Sequence, residues 1–168
     1  ADVHVRDGAI VAVGNGLQAP GAQVIDARGM IVMPGMVETH WHIWNTILRS
    51  MSGSEKKYGY FPTALGIGRV YEASDMYHSA RLASTEAVFS GITFVHDWCH
   101  NIRTPQHARE ALRGLQQSGL RGRFSYGTMQ GHPVDAPMDI ADLERLRADW
   151  SQQSNGGLLS LGVAWRGV

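Results

Sequence analysis

Val32-Met33-Pro34-Gly35-Met36-Val37-Glu38-Thr39-His40-Trp41-His42 is the stretch on which the reading of the chain turns. Pro34-Gly35 closes one segment and an apolar run follows directly, which predicts a strand over residues 36–43. Side chains two apart in a strand share a face, so Glu38, His40 and His42 are expected together and Trp41 opposite them. Trp44 continues the imidazole face in this reading and offers a wall for a planar substrate, whereas Trp41 packs between strand and helix layer. Two neutral imidazoles side by side suit a divalent transition metal; the same spacing also fits a pair of exposed or hydrogen-bonded histidines.

Downstream, the pattern alternates. A long polar stretch, residues 45–73, carries Tyr58, Tyr60 and Phe61 and reads either as a loop contacting substrate or as a surface loop with anchoring aromatics. A helix is expected from Ser74 as N-cap to Gly91, with Tyr77, Ala80, Ser84, Ala87 and Val88 along one stripe. Residues 92–97 follow as a strand. Thr104-Pro105 is an N-cap and N1 pair opening a helix that buries Ala108, Ala111, Leu112 and Leu115 and stops at Gly119. Residues 121–127 form a third strand, Asp139 caps a helix with Ile140, Leu143, Leu146 and Trp150 inward, and residues 158–165 form a fourth strand. Strand and helix in strict turn imply a parallel sheet, either half of an eight-stranded barrel or a small open sheet.

Upstream, residues 2–13 read as two apolar strands around Arg6-Asp7-Gly8, a hairpin, with further short strands at 23–27 and 30–33. Lys+Arg and Asp+Glu both number 15 in 168 residues, so no basic face suited to nucleic acid is expected. The apolar runs fall far short of the roughly 20 residues that span a bilayer. Cys99 is the single cysteine and forms no intrachain disulfide; a cytoplasmic location is the expectation. The chain begins Ala1-Asp2-Val3, already inside a strand pattern, so any targeting segment would precede it.

The hairpin, the stretch Ile25-Asp26-Ala27-Arg28-Gly29-Met30-Ile31-Val32-Met33-Pro34-Gly35 and the His-x-His that follows together resemble the opening of the amidohydrolase superfamily. Trp44-Asn45-Thr46-Ile47-Leu48-Arg49, Gly91-Ile92-Thr93-Phe94-Val95-His96-Asp97 and the residues 119–123 resemble its cytosine deaminase and chlorohydrolase branch. Glu38 stands where that branch often has Asp or Asn. The resemblance implies an α/β fold, a partial (β/α)8 TIM barrel of about four strands in residues 34–168, preceded by part of a small β-sandwich domain in residues 1–33. A complete barrel needs about 250 residues. The resemblance also implies Zn²⁺ or Fe²⁺ held by His40 and His42, with the remaining ligands and the proton-transferring groups on later strands that have no counterpart here. The metal would activate water for attack on an sp² carbon bearing an amino group or halide in a nitrogen heterocycle. This chain alone would then be inactive.

After the third strand, Gln130 and His132 are expected, with Trp44, to contact a small-molecule substrate. His96 and His100 straddle a strand end and are read as structural, Asp97 either shapes the pocket or caps a loop, and His78 and His107 fall on solvated helix surfaces. Cys99 beside His100 does not by adjacency make a nucleophile dyad. The open sheet edges predict association with a second copy or with the absent half. Two other readings remain open: cleavage of cyclic or linear amide C–N bonds, and a non-catalytic half-barrel acting as an interaction module.

Overall fold

The computed structural model describes residues 1–133 and 135–165. The chain divides into two compact units, Ala1–Pro34 and Gly35–Val168; the last three residues of the second, and of the range 34–168 expected above, lie outside the described ones.

In the first unit, β1 (Asp2–Arg6) and β2 (Ala9–Gly14) form the expected antiparallel hairpin. Asp7 and Gly8 both have positive φ, 51° and 78°, the combination that a two-residue turn needs to match the twist of its strands. The short strands expected at 23–27 and 30–33 do not form. Apolar alternation becomes a strand only against a pleated neighbour, and here Val24, Ile25 and Ile31 are 87%, 82% and 91% exposed. Local turns take over instead: Arg28 N donates to Asp26 Oδ1 (3.0 Å) and Met30 N to the Ala27 carbonyl (3.0 Å).

The second unit is α/β. Its strands β3 (Met36–Trp41), β4 (Ile92–Cys99), β5 (Arg121–Gly127) and β6 (Leu159–Ala164) pair in parallel and in sequence order, with helices in the connections. Those helices are α1 (Tyr60–Gly68), α2 (Ala73–Phe89), α3 (Pro105–Gln116), α4 (Ile140–Ala148) and α5 (Trp150–Gln153). Along β4, Val95, Asp97 and Cys99 are buried, while Phe94, His96 and Trp98 alternate with them and are only half-buried. Val95, Cys99 and Phe124 belong to one core with Met76, Ala83, Leu112 and Leu115 from α2 and α3. Val95, Phe124, Met76, Leu112 and Leu115 each contribute about 1.5–3 kcal/mol of transfer free energy.

Several expectations change in detail. β3 ends at Trp41, and Ile43–Leu48 is a 3₁₀ helix, so the stretch 45–73 holds a helical turn and α1 instead of a plain loop. The N-cap of α2 is Glu72, not Ser74: Glu72 and Asp75 form a capping box in which each carboxylate accepts the other's backbone N–H. Val88 is exposed, and Met76 and Ala83 take inward places with Ala80 and Ala87. Thr104 and Pro105 do open α3, but Thr104 Oγ1 bonds His107 Nδ1 (2.8 Å). His107 is therefore not solvated. It is buried beside Ala108 and Ala111, its Nε2 donates to the Tyr71 carbonyl (3.2 Å), and burial holds its pKa below the usual histidine value. Asp139 caps α4 by accepting from Asp142 N (2.9 Å). Ile140 stays exposed, because the first turn of α4 turns Asp142 inward to the Arg109 guanidinium (2.8 Å) and the Tyr126 hydroxyl (2.9 Å).

Helix α3 packs closely against α2 at Gly114. A Cβ there would lie 2.7 Å from Ala80 Cβ, 2.8 Å from the Tyr77 carbonyl oxygen and 3.0 Å from Arg81 N. Two of these atoms are backbone and cannot swing away. Alanine at a helical position gains about 1 kcal/mol in propensity over glycine, but overpacking costs about 1–3 kcal/mol. Gly114→Ala is therefore expected to lower stability by about 1 kcal/mol, read as a lower urea midpoint. A raised midpoint would show that the helices separate freely.

Candidate functional site

His40 and His42 come together as the strand reading requires, although β3 stops between them. His42 is the N-cap of the 3₁₀ helix (φ −93°, ψ 76°), and its ring lies 5.1 Å from that of His40 at an interplanar angle of 77°. The Trp98 carbonyl can only accept, so His42 Nδ1 donates to it (3.0 Å). That contact puts the proton on Nδ1 and the lone pair on Nε2, the tautomer in which an outer partner orients a metal-binding imidazole. Glu38 Oε1 accepts from His40 N (2.9 Å) and so braces the backbone that carries His40.

Two more histidines join from β4 and its exit. The His100 ring is 5.3 Å from that of His42, and His100 is buried. His96 Nε2 bonds Ser125 Oγ (2.7 Å) across to β5; partial burial, then the charges of Arg123 and His40, hold its pKa below the usual value. Trp98 sits between them, stacked on His40 (4.9 Å, 18°) and 4.9 Å from His96. Sequence reading passed over Trp98. The signal was the alternation that pairs His40 with His42, which also sets Trp98 between His96 and His100.

Among the described residues, no group of three or more His, Cys, Asp or Glu is arranged to hold a metal ion. His40 and His42 thus fit part of a ligand set: two nitrogen donors on one face, with one tautomer fixed.

The other candidates separate. Trp44 does not wall the imidazole face. The chain turns into the 3₁₀ helix at Ile43, strand alternation ends, and Trp44 is buried with its ring edge-on to Tyr71 (5.6 Å, 82°). Asp97 points to the helix side of β4, where Oδ1 accepts from Ile43 N (3.3 Å), so it is a loop cap; burial pushes its carboxyl up to about 7. Burial also raises the Cys99 thiol, which keeps it protonated and unreactive. Gln130 and His132 are half-buried in the segment after β5, with His132 Nε2 donating to the Pro137 carbonyl (3.2 Å). Tyr60 lines a cavity of about 270 Å³ with Trp41, Asn45, Arg49 and Thr63, its hydroxyl accepting from Asn45 Nδ2 (3.0 Å). Trp41 alternates with His40, so this cavity is on the other side of β3 from the imidazoles. Tyr58 and Phe61 are exposed.

No protein-family model matches the chain. It is similar to the 5-methylthioadenosine/S-adenosylhomocysteine deaminase of Symbiobacterium thermophilum, 31% identical over 159 residues that make up 92% of this chain and 35% of the relative. The corresponding deaminase of Pyrococcus furiosus is 29% identical over 128 residues, 76% of this chain and 29% of the relative. The 5'-deoxyadenosine deaminase of Methanosarcina acetivorans is 25% identical over 161 residues, 95% of this chain and 36% of the relative. The chain thus spans about a third of the length of these curated relatives.

Proposed function

We propose that the chain is the N-terminal part of a metal-dependent amidohydrolase that, at full length, removes the amino group of a nitrogen heterocycle by hydrolysis. The observation that carries this reading is the His40–His42 pair at the C-terminal end of the first strand of a parallel sheet, the end at which barrel enzymes assemble their sites. Similarity to deaminases supports it, and because those relatives are named for adenine nucleosides, an aminopurine nucleoside is the substrate class this reading takes first. The sheet is then the first half of a (β/α)8 barrel.

His40 and His42 would hold the divalent ion, zinc or iron, and because a catalytic site uses three or more protein ligands, the others belong to later strands. Such an ion supplies the Lewis acidity that brings water's pKa toward neutrality. This chain's residues orient and brace: the Trp98 carbonyl holds the His42 tautomer and Glu38 bonds the backbone of His40. Among the described residues β3 and β6 each have a single strand neighbour, so the remaining strands, or those of a second copy, would be the partners that cover them. Among the described residues no helix is long and apolar enough to cross a membrane.

The test is product analysis with the full-length protein, loaded with Zn²⁺ or Fe²⁺, on 5′-deoxyadenosine, cytosine and a chlorotriazine. Ammonia release with the ring intact is expected. Halide release alone, or a ring-opened product, overturns the deaminase reading. The 168-residue chain assayed alone is expected to match its own His40→Ala background, since in this reading the base, whose general acid-base catalysis is worth roughly 10²- to 10⁴-fold, belongs to the later strands. Turnover well above that background would show that the catalytic groups lie within this chain.

A further inference from the structure

We propose that Trp98 is a positioning residue for the histidine pair, its indole ring and its backbone carbonyl together setting the orientation in which His40 and His42 meet a divalent cation. The proposal rests on the metal role assigned to that pair.

The ladder between β3 and β4 is interrupted where the first ligand sits. Glu38 pairs with Val95 and Trp41 with Asp97, and the register shifts between them, so Thr39 and His40 lie in a gap. A backbone that carries a ligand but lacks ladder bonds needs another restraint. Trp98 supplies it three times. Its Nε1 donates to the Thr39 carbonyl (3.3 Å), which ties the gap to β4. Its ring lies nearly parallel to the His40 imidazole (4.9 Å, 18°), and a flat stack on one side restricts rotation of an otherwise exposed ring. Its own carbonyl accepts from His42 Nδ1 (3.0 Å) and selects the Nε2 lone pair for the cation.

Trp98 is itself held: the His96 ring flanks it at 4.9 Å, and His96 is bonded to Ser125 on β5. It is half-buried, on the opposite side of β4 from Val95, Asp97 and Cys99, and does not belong to the hydrophobic core. Replacing it removes little core packing. Its removal is therefore expected to act on the ligands more than on the fold.

The experiment compares the full-length protein, which carries the remaining ligands, with its Trp98→Phe, Trp98→Leu and His40→Ala variants. Zn²⁺ is titrated while the histidine ring resonances are followed by NMR, and the visible spectrum of added Co²⁺ reports ligand geometry. Phenylalanine keeps a ring over His40 and loses the bond to Thr39; leucine loses both. Loss of an outer partner typically costs about 10- to 100-fold in metal affinity. Zn²⁺ affinity is expected to fall about 10-fold in Trp98→Phe and toward 100-fold in Trp98→Leu, with a changed Co²⁺ spectrum. In metal-free Trp98→Leu, the His40 ring protons should lose the upfield shift that a stacked indole imposes. Wild-type affinity and an unchanged Co²⁺ spectrum in both variants would overturn the positioning role while leaving the metal site standing. Wild-type binding no tighter than that of His40→Ala would overturn the metal role, and this proposal with it. If Trp98→Leu does not fold, Trp98→Phe decides by the same two readouts.

Discussion

Alanine at His40 or at His42 in the full-length protein is expected to lower bound metal and to cut turnover by more than about 100-fold. Loss of a residue that only orients a ligand typically costs 10- to 100-fold, and loss of the ligand itself exceeds that. The two substitutions need not be equal. His40 is exposed, so His40→Ala should leave the fold's stability nearly unchanged while removing a donor. His42 is half-buried and its ring donates to the Trp98 carbonyl, so His42→Ala also removes a bond that ties the start of the 3₁₀ helix to β4 and should loosen that junction. Metal content by mass spectrometry, measured beside kcat, checks both. Two histidines that merely decorate a surface would leave the stoichiometry of both variants at the wild-type value, and that result would remove the assignment.

Asp97 sets the second large effect, a loss of stability as pH rises from about 4 to about 7. Burial lifts its carboxyl from an ordinary 3.8 to about 7, and the single bond from Ile43 N offsets little of that. Below pH 4 the group is protonated in folded and unfolded chains alike, and its full contribution is present. Between about 4 and 7 the unfolded chain releases the proton while the folded chain holds it, so stability declines; above about 7 both forms are ionised and the decline stops. A rise of about three pKa units corresponds to about 4 kcal/mol, as an order of magnitude. Other groups run the opposite way. Glu86, lowered by Arg49, and His107, lowered by burial, both favour folding as pH rises. The difference between wild type and Asp97→Asn removes those common contributions, and asparagine keeps an oxygen for Ile43 N. Urea titrations from pH 4 to pH 8 should show the asparagine variant gaining on the wild type by about 4 kcal/mol across the window. Parallel curves would mean that Asp97 is ionised at its buried place and holds a partner that its bond to Ile43 does not reveal.

Much of the frame was legible in the residues, because it rests on local rules. Asp7-Gly8 makes a hairpin turn wherever it meets two strands, since both positions tolerate positive φ. β5 runs over the residues expected of it, and Thr104-Pro105 and Asp139 stand at the starts of α3 and α4. The nearness of His40 and His42 follows from the two-residue period of a strand, and survives even though the strand ends at Trp41.

What tertiary structure alone decided is whatever depends on a neighbour distant in sequence. Residues 23–33 have strand-like alternation, but among the described residues no strand pairs with them, and they stay irregular. The Trp44 ring is expected to wall a substrate and His107 to meet solvent, yet Tyr71 packs T-shaped against the one ring and its carbonyl accepts from the other. Trp98 gains its place only because a parallel ladder sets β4 beside β3 and then breaks at Thr39–His40, leaving a carbonyl and an imidazole for the indole to hold. Periodicity states which side chains share a face. Which partner lies across from that face is settled by packing between strands more than fifty residues apart, and no local rule spans that distance.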